Sequence, residues 1–255
     1  MGFKYCSFIW MKGFLFILSC LYTISVLGQS GRREFNIPNS YFGVSEYRDH
    51  QKLMNQLQLP DLYFAKNSFR FRYRQQRSIV EIWSEDNIHY EGRMVLFLTR
   101  DHYKRSQITK REVMYEYVRL DSVIVSKLLK EISESEILKV ETDEHVNGWR
   151  YSDNVPLLLS CGSWSYYLEH TGSGEYYFKT FAVPEQYTAT KEAILVSGFT
   201  KKLNSIVSLD TRFEAFFNLL PKGVYNFDVI LVQKLNGTKR LANELGSRVI
   251  VKEID

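Results

Sequence analysis

From residue 67 onward the chain takes up a period of two, and no other feature restricts its fold as strongly. In NSFRFRYRQ, residues 67–75, Phe69, Phe71 and Tyr73 alternate with Arg70, Arg72 and Arg74. SIVEIWSED (78–86), RMVLFLTRDHY (93–103) and EVMYEYVRL (112–120) follow, separated by short polar connections. Side chains on a strand point to opposite faces in turn, so a slip of one residue would carry every apolar group to the wrong side. β-Branched and aromatic runs at this spacing predict an antiparallel meander.

Helical signals flank these runs. SEYRDHQKLMNQLQL (45–59) places Tyr47, Leu53, Met54 and Leu57 at roughly helical spacing and is stopped by Pro60. Asp121 is positioned to cap DSVIVSKLLKEISESEIL (121–138). A polar stretch, 141–154, marks a break, after which VPLLLS, SWSYYLEH and EYYFKTFAV resume the strand pattern. The last two are joined by Thr171-Gly172-Ser173-Gly174, a hairpin turn. Thr190 opens a further helix, and Thr211-Arg212-Phe213-Glu214 fits a capping box for a short one ended by Pro221. VYNFDVILVQKL and SRVIVKEI read as closing strands around a helical piece near 239–245.

Strands in runs, followed by helices, predict an α+β fold: antiparallel sheet built of a meander and hairpins and packed by three to four helices. The order suggests two strand-then-helix halves, although the halves share no residue-level similarity. One α+β domain is expected over 45–255, with 29–44 as a linker and 141–154 as the place for a subdomain boundary.

The N-terminus decides the expected location. Lys4 and Lys12 precede an apolar run over 13–27, and the chain turns polar at Gln29-Ser30-Gly31-Arg32-Arg33. A basic region, an apolar run and small residues at a cut site define a secretory signal peptide, here 1–28 with Val26 and Gly28 at the −3 and −1 positions. Ile17-Leu18-Ser19-Cys20 also resembles a lipobox, which makes Cys20 a candidate for lipidation, while the apolar residues after it favour cleavage near Gly28. The third outcome is a retained anchor: the run is short for a span of roughly 20 residues, but Phe8-Ile9-Trp10-Met11 lengthen it. All three export the chain. The expected destination is the periplasm or outer envelope of a Gram-negative bacterium, with secretion as the alternative.

Composition narrows the partners. Of three cysteines only Cys161 lies beyond the leader, so the exported part has no internal disulfide. The formal charge of +4 drops to +2 without Lys4 and Lys12, too little to indicate nucleic acid or an anionic membrane surface. A membrane contact is expected only through the leader, if Cys20 is lipidated or the leader is retained.

The candidate sites are few. Arg70, Arg72 and Arg74 project to one strand face, where guanidinium groups could grip an anionic ligand. The plainer reading is a solvated face with Glu81 and Glu85 as cross-strand partners. Trp149, Tyr151, Trp164, Tyr166 and Tyr177 belong to an aromatic-rich region able to offer platforms to a sugar or a partner protein. The alternative there is a sheet covered on both sides. Around Cys161, SCGSW misses the cysteine-protease signature, because the second cysteine of that motif is absent. Glu141, Asp143, Glu144, His145 and Asp153 form the densest set of oxygen and imidazole ligands but match no metal-binding spacing. No catalytic residue, metal or cofactor is therefore assigned. The expected function is a non-catalytic binding or assembly module for a glycan, peptide or protein. A hydrolase whose carboxylates meet only in space is the alternative.

Overall fold

The computed structural model describes residues 34–65, 67–104, 107–149, 165–172, 174–227, 230–234 and 250–254. Among the described residues ten strands form one sheet: β1 (Glu34–Asn36), β2 (Phe69–Arg74), β3 (Ser78–Ser84), β4 (Glu91–Lys104), β5 (Gln107–Leu120), β6 (Ser165–Gly172), β7 (Glu175–Ala182), β8 (Gly223–Phe227), β9 (Ile230–Lys234) and β10 (Ile250–Ile254). Their order is β1-β7-β6-β2-β3-β4-β5-β10, with β8 branching from β4 and carrying β9. The expected meander is β2–β5, and the 171–174 turn closes the β6–β7 hairpin at Gly172↔Glu175. VYNFDVILVQKL divides into two strands, β8 and β9, which pair antiparallel.

The fold is α+β, as the patterning predicts, and among the described residues four α-helices pack on the sheet: α1 (Tyr41–Gln56), α2 (Ser122–Glu134), α3 (Lys191–Ile206) and α4 (Leu209–Leu219). The two strand-then-helix stretches share a single sheet, because β6 pairs directly with β2, from Phe69↔Gly172 to Arg74↔Tyr167. Helix α1 begins four residues before Ser45, because Ser40 Oγ accepts from Gly43 N at 2.9 Å and so caps an earlier turn. Asp121 caps α2 as predicted, accepting from Ile124 N at 2.8 Å. Helix α4 likewise starts ahead of the Thr211 capping box, with Ser208 in left-handed backbone at its N-cap.

The two faces of the sheet are filled differently. One buries Phe71, Tyr73, Val80, Ile82, Met94, Leu96 and Leu168 against Val125, Leu128 and Ile132 of α2, Val196, Phe199 and Leu203 of α3, and Phe213 and Phe216 of α4. Each such side chain removed from water contributes roughly 1.5–3 kcal/mol. Contact is close: a methyl group added at Gly92 of β4 would meet Val125 Cγ2 at 2.8 Å. The opposite face lies under α1 and residues 57–65. Met54, Leu57 and Leu59 pack there on Ile79, Val95, Phe97, Val113 and Tyr115, while Leu62 packs on Tyr176 and Phe178. Between these two apolar groups sits a set of charges.

Strand β7, flanked by the three-residue β1, also receives side chains of the 141–154 stretch. Thr180 N donates to Thr142 Oγ1 at 3.2 Å and Ala182 N donates to Asp143 Oδ2 at 2.7 Å, so two backbone donors find partners without another strand.

Candidate functional site

The arginines of β2 are placed by the pairing register. Arg72 faces Glu81 of β3 on one side and Glu169 of β6 on the other. All three are fully buried. Arg72 Nη1 donates to Glu169 Oε2 at 2.7 Å, and Nη2 donates to Glu81 Oε1 at 2.8 Å and to the Pro60 carbonyl at 2.8 Å. One guanidinium thus ties β3, β6 and the 57–65 segment together. Glu81 also accepts from Arg70 Nε at 2.9 Å and from Arg93 Nε at 2.6 Å. Glu169 accepts from His50 Nε2 and Tyr176 OH, both at 2.7 Å, and from Gln51 Nε2 at 3.1 Å. His50 and Gln51 come from α1, which the network therefore pins to the sheet.

The electrostatics follow from this packing. Burial alone would raise the Glu169 carboxyl, but Arg72 and then His50 outweigh it and hold the group well below the usual carboxylate range. Glu81 is lowered in the same way, by Arg72, Arg70 and Arg93 against burial. Burial lowers His50, against the pull of Glu169, and so favours the neutral ring. At the margin of the network, burial raises the Asp61 carboxyl and pushes the Tyr47 phenol up to about 12.

Chemically the carboxylates of this cluster are saturated, while the buried Arg72 Nε has no hydrogen-bond partner among the described residues. Each Glu169 oxygen accepts two hydrogen bonds, which fills the lone-pair sites a carboxylate offers. Glu81 and Glu169 both lack solvent exposure, so neither is placed to trade protons with a substrate. The arginine face is not solvated, contrary to the plainer reading, because α1 and the 57–65 segment cover it. Glu81 is the partner expected for it. Glu85 is exposed and lies beyond the end of β3, and its carbonyl accepts from Ser68 Oγ. Arg74 is half-buried, its guanidinium 4.5 Å above the Tyr167 ring.

The aromatic candidates separate. Trp149 is fully buried and donates from Nε1 to the Ala182 carbonyl at 2.7 Å, with Phe181 stacked at 5.9 Å. That ring is core and offers a ligand no surface. Tyr166 is buried too, stacked on Tyr73 and donating to Glu185 Oε1 at 2.7 Å. Tyr177 is part-exposed, stacked on His170 at 4.6 Å. Tyr151, Trp164, Cys161 and Cys20 lie outside the described residues. Among the ligand-rich set, Asp143 is buried in its contacts to β7, and Asp153 is outside the described residues. Glu141 and His145, 3.8 Å apart, line an open groove of about 430 Å³ with Glu136, Lys139, Lys191 and Glu192. Among the described residues, no three His, Cys, Asp or Glu side chains are grouped to hold a metal.

Exposed aromatic side chains lie, among the described residues, near the start of α1 and in the 57–65 segment, where residue patterning gave no cue. Among the described residues, Phe35, Tyr41, Phe42 and Phe64 are the exposed aromatic side chains, with Tyr41 at 85% and Phe64 at 75%. Tyr63 links Phe35 and Phe64, with ring centroids 5.1 and 4.9 Å away, and Phe35 also meets Tyr47 and Tyr176 at 5.5 Å each. Tyr41 and Phe42 touch edge to face at 5.9 Å. These rings fall into two contacting groups, Phe35–Tyr63–Phe64 and Tyr41–Phe42, together called the aromatic rim below. Neither protein-family models nor curated proteins give a match to this chain.

Proposed function

We propose that the protein is a non-catalytic binding or assembly module of the cell envelope, and that the aromatic rim around the start of α1 is its contact surface. The exposure of Phe35, Tyr41, Phe42 and Phe64 on a layer fixed by buried ion pairs carries this reading. Exposed rings that are already held in place bind with little further loss of freedom. The hydrolase alternative requires two carboxylates at a common cleft: the buried pair Glu81 and Glu169 is fully engaged by donors, and Glu136, Glu141 and Glu192, which do share an open groove, line it together with Lys139 and Lys191. Export, read from the leader, agrees with an envelope role.

The test uses the chain from Gln29, since Phe35–Asp255 form one compact unit. Co-sedimentation with a Gram-negative envelope fraction is compared for the wild type and a Tyr41→Ser/Phe42→Ser/Phe64→Ser variant. Loss of several interface aromatics is expected to weaken binding at least about tenfold while the melting temperature holds. Equal binding by both proteins would remove the rim from this role.

A further inference from the structure

We infer that His50 and Arg74 form an acid-sensitive latch between α1 and β2: a proton taken up at His50 Nδ1 displaces the Arg74 guanidinium and loosens the middle of α1. The latch stands on the buried network alone and does not require the aromatic rim to be the contact surface.

Only one neutral tautomer of the ring fits its partners. Glu169 stays ionised beside Arg72, and an ionised carboxylate only accepts hydrogen bonds. His50 Nε2, 2.7 Å from Glu169 Oε2, therefore carries the ring proton. Nδ1 keeps a lone pair, and Arg74 Nη1 donates to it across 3.5 Å. The ring itself is fully buried, with the rings of Tyr167 and Phe178 at centroid distances of 5.6 and 5.2 Å. Tyr167 also lies under the Arg74 guanidinium, so one side chain of β6 supports both members of the latch.

The groups around His50 decide what a second proton does. From β6, Glu169 favours a charged ring, while Arg72 and Arg74 of β2 oppose it together with burial. Strand β7 contributes Phe178 and Tyr176, whose hydroxyl donates to Glu169 at 2.7 Å. On α1 itself Gln51 donates to Glu169 at 3.1 Å, Tyr47 has a phenol pushed up to about 12, and the half-buried Glu46 lies one turn before His50. Asp61 of the 57–65 segment is raised by burial and feels both Glu169 and Arg72. The lone-pair sites of Glu169 are already occupied, so a proton on Nδ1 gains no new acceptor there. It turns Nδ1 into a donor facing a donor, and a cation facing a cation.

Arg74 is the member able to leave. Arg72 is held by Glu81, Glu169 and the Pro60 carbonyl, whereas Arg74 is half-buried and, among the described residues, has no ion pair with a carboxylate. Its departure removes a tie between α1 and β2 and leaves the imidazolium buried, a charge that opening of α1 would hydrate. With the closed ring refusing the proton, the opening equilibrium rises about tenfold per pH unit below the free histidine value near 6.5. Glu81 and Glu169 are held ionised through that range, so the change is confined to α1.

Two measurements on the full chain test the latch. Nitrogen-15 NMR of histidine-labelled protein at pH 7.5, with His50→Gln to assign the signal, should show the proton on Nε2 of His50. Amide exchange, corrected for the intrinsic rate, then compares pH 7.5 with pH 5.5. Protection of residues 50–56 should fall about tenfold in the wild type while α2 keeps its own. In Arg74→Gln, whose side-chain carbonyl can accept from Nδ1, the fall should be about threefold or less. In His50→Gln it should vanish. A proton on Nδ1 at pH 7.5, or no fall in the wild type, overturns the latch. An equal fall in wild type and Arg74→Gln also overturns it, since burial rather than the guanidinium would then exclude the proton.

Discussion

The two faces of the sheet solve the same burial problem by opposite means. Beneath α2, α3 and α4 the strands present aromatic and aliphatic side chains, and the one polar contact of Tyr73, to Thr200 Oγ1 at 2.6 Å, is satisfied within that layer. Beneath α1 the same strands present Arg70, Arg72, Glu81 and Glu169, all buried, between two apolar patches. An apolar face tolerates many arrangements of similar volume, whereas any shift that separates a buried ion pair strands an uncompensated charge. The charged face therefore fixes where α1 lies, and with it the direction in which the rim points.

The largest expected effect tests this difference directly. Phe199→Ala, on the apolar face, removes a ring in contact with Phe71 and Tyr73 and is expected to cost about 3–5 kcal/mol. Arg72→Met is expected to cost about as much, because Glu81 and Glu169 lose their common partner while buried. The two should diverge on repair. Adding Glu81→Leu and Glu169→Leu to Arg72→Met removes the stranded carboxylates but unpairs Arg70, Arg93, His50, Gln51 and Tyr176, so urea denaturation should show only part of the stability regained. A triple variant no more stable than Arg72→Met would mean that the charges contribute more than mutual compensation.

Acid should separate the faces next. The buried carboxylates are lowered in the folded state, so the stability they supply is complete above their unfolded value near 4.5 and is lost as pH falls below it. The histidines act in the same direction through a different window. His50 is lowered by burial, and His170 is lowered to about 3, by burial and then Lys179. The unfolded chain therefore takes up protons at both rings below about 6.5 while the fold does not. Stability should decline gently from pH 6.5 and steeply below 4.5. In the Arg72→Met/Glu81→Leu/Glu169→Leu protein the steep part should be reduced, and His170→Gln should flatten the gentle part. Melting temperatures across pH 7 to 3 measure both.

How much of this was legible in the sequence follows from range. The β2–β5 meander and the Asp121 cap depend on neighbours in the chain, and alternation or a cap residue reveals them directly. Arg72 meets Glu169 at a separation of 97 residues, and no local pattern indicates which of two distant strands will be adjacent. A cue existed in composition: Glu81 lies between Val80 and Ile82, and Glu169 follows Leu168, each an acid inside an apolar strand facing the arginine run. Weighing those acids against solvation required knowing that α1 covers them. Trp149 was indistinguishable from a surface ring for the same reason, since the Ala182 carbonyl that receives its N–H lies 33 residues away.

The smallest effect compares how the two layers start. Ser40 and Asp121 perform the same local task, each accepting one N–H of the first turn of its helix, at 2.9 and 2.8 Å. Replacing either by Ala should cost about 1 kcal/mol by loss of the cap alone. Asp121 is exposed and has the extra benefit of negative charge at a helix N-terminus, which favours the larger loss at α2. Ser40 has something Asp121 lacks: its hydroxyl also donates to Glu144, next to the Asp143 that covers β7. Ser40→Ala therefore frees the first turn of α1 from the sheet edge as well as from its cap. Amide hydrogen exchange should show Gly43 and Val44 losing protection in Ser40→Ala while α2 keeps its own. Asp121→Ala should loosen only the start of α2 and leave the rim unchanged. If both substitutions lower global stability equally and neither produces local exchange, the layer under the rim is no more separable than the apolar one.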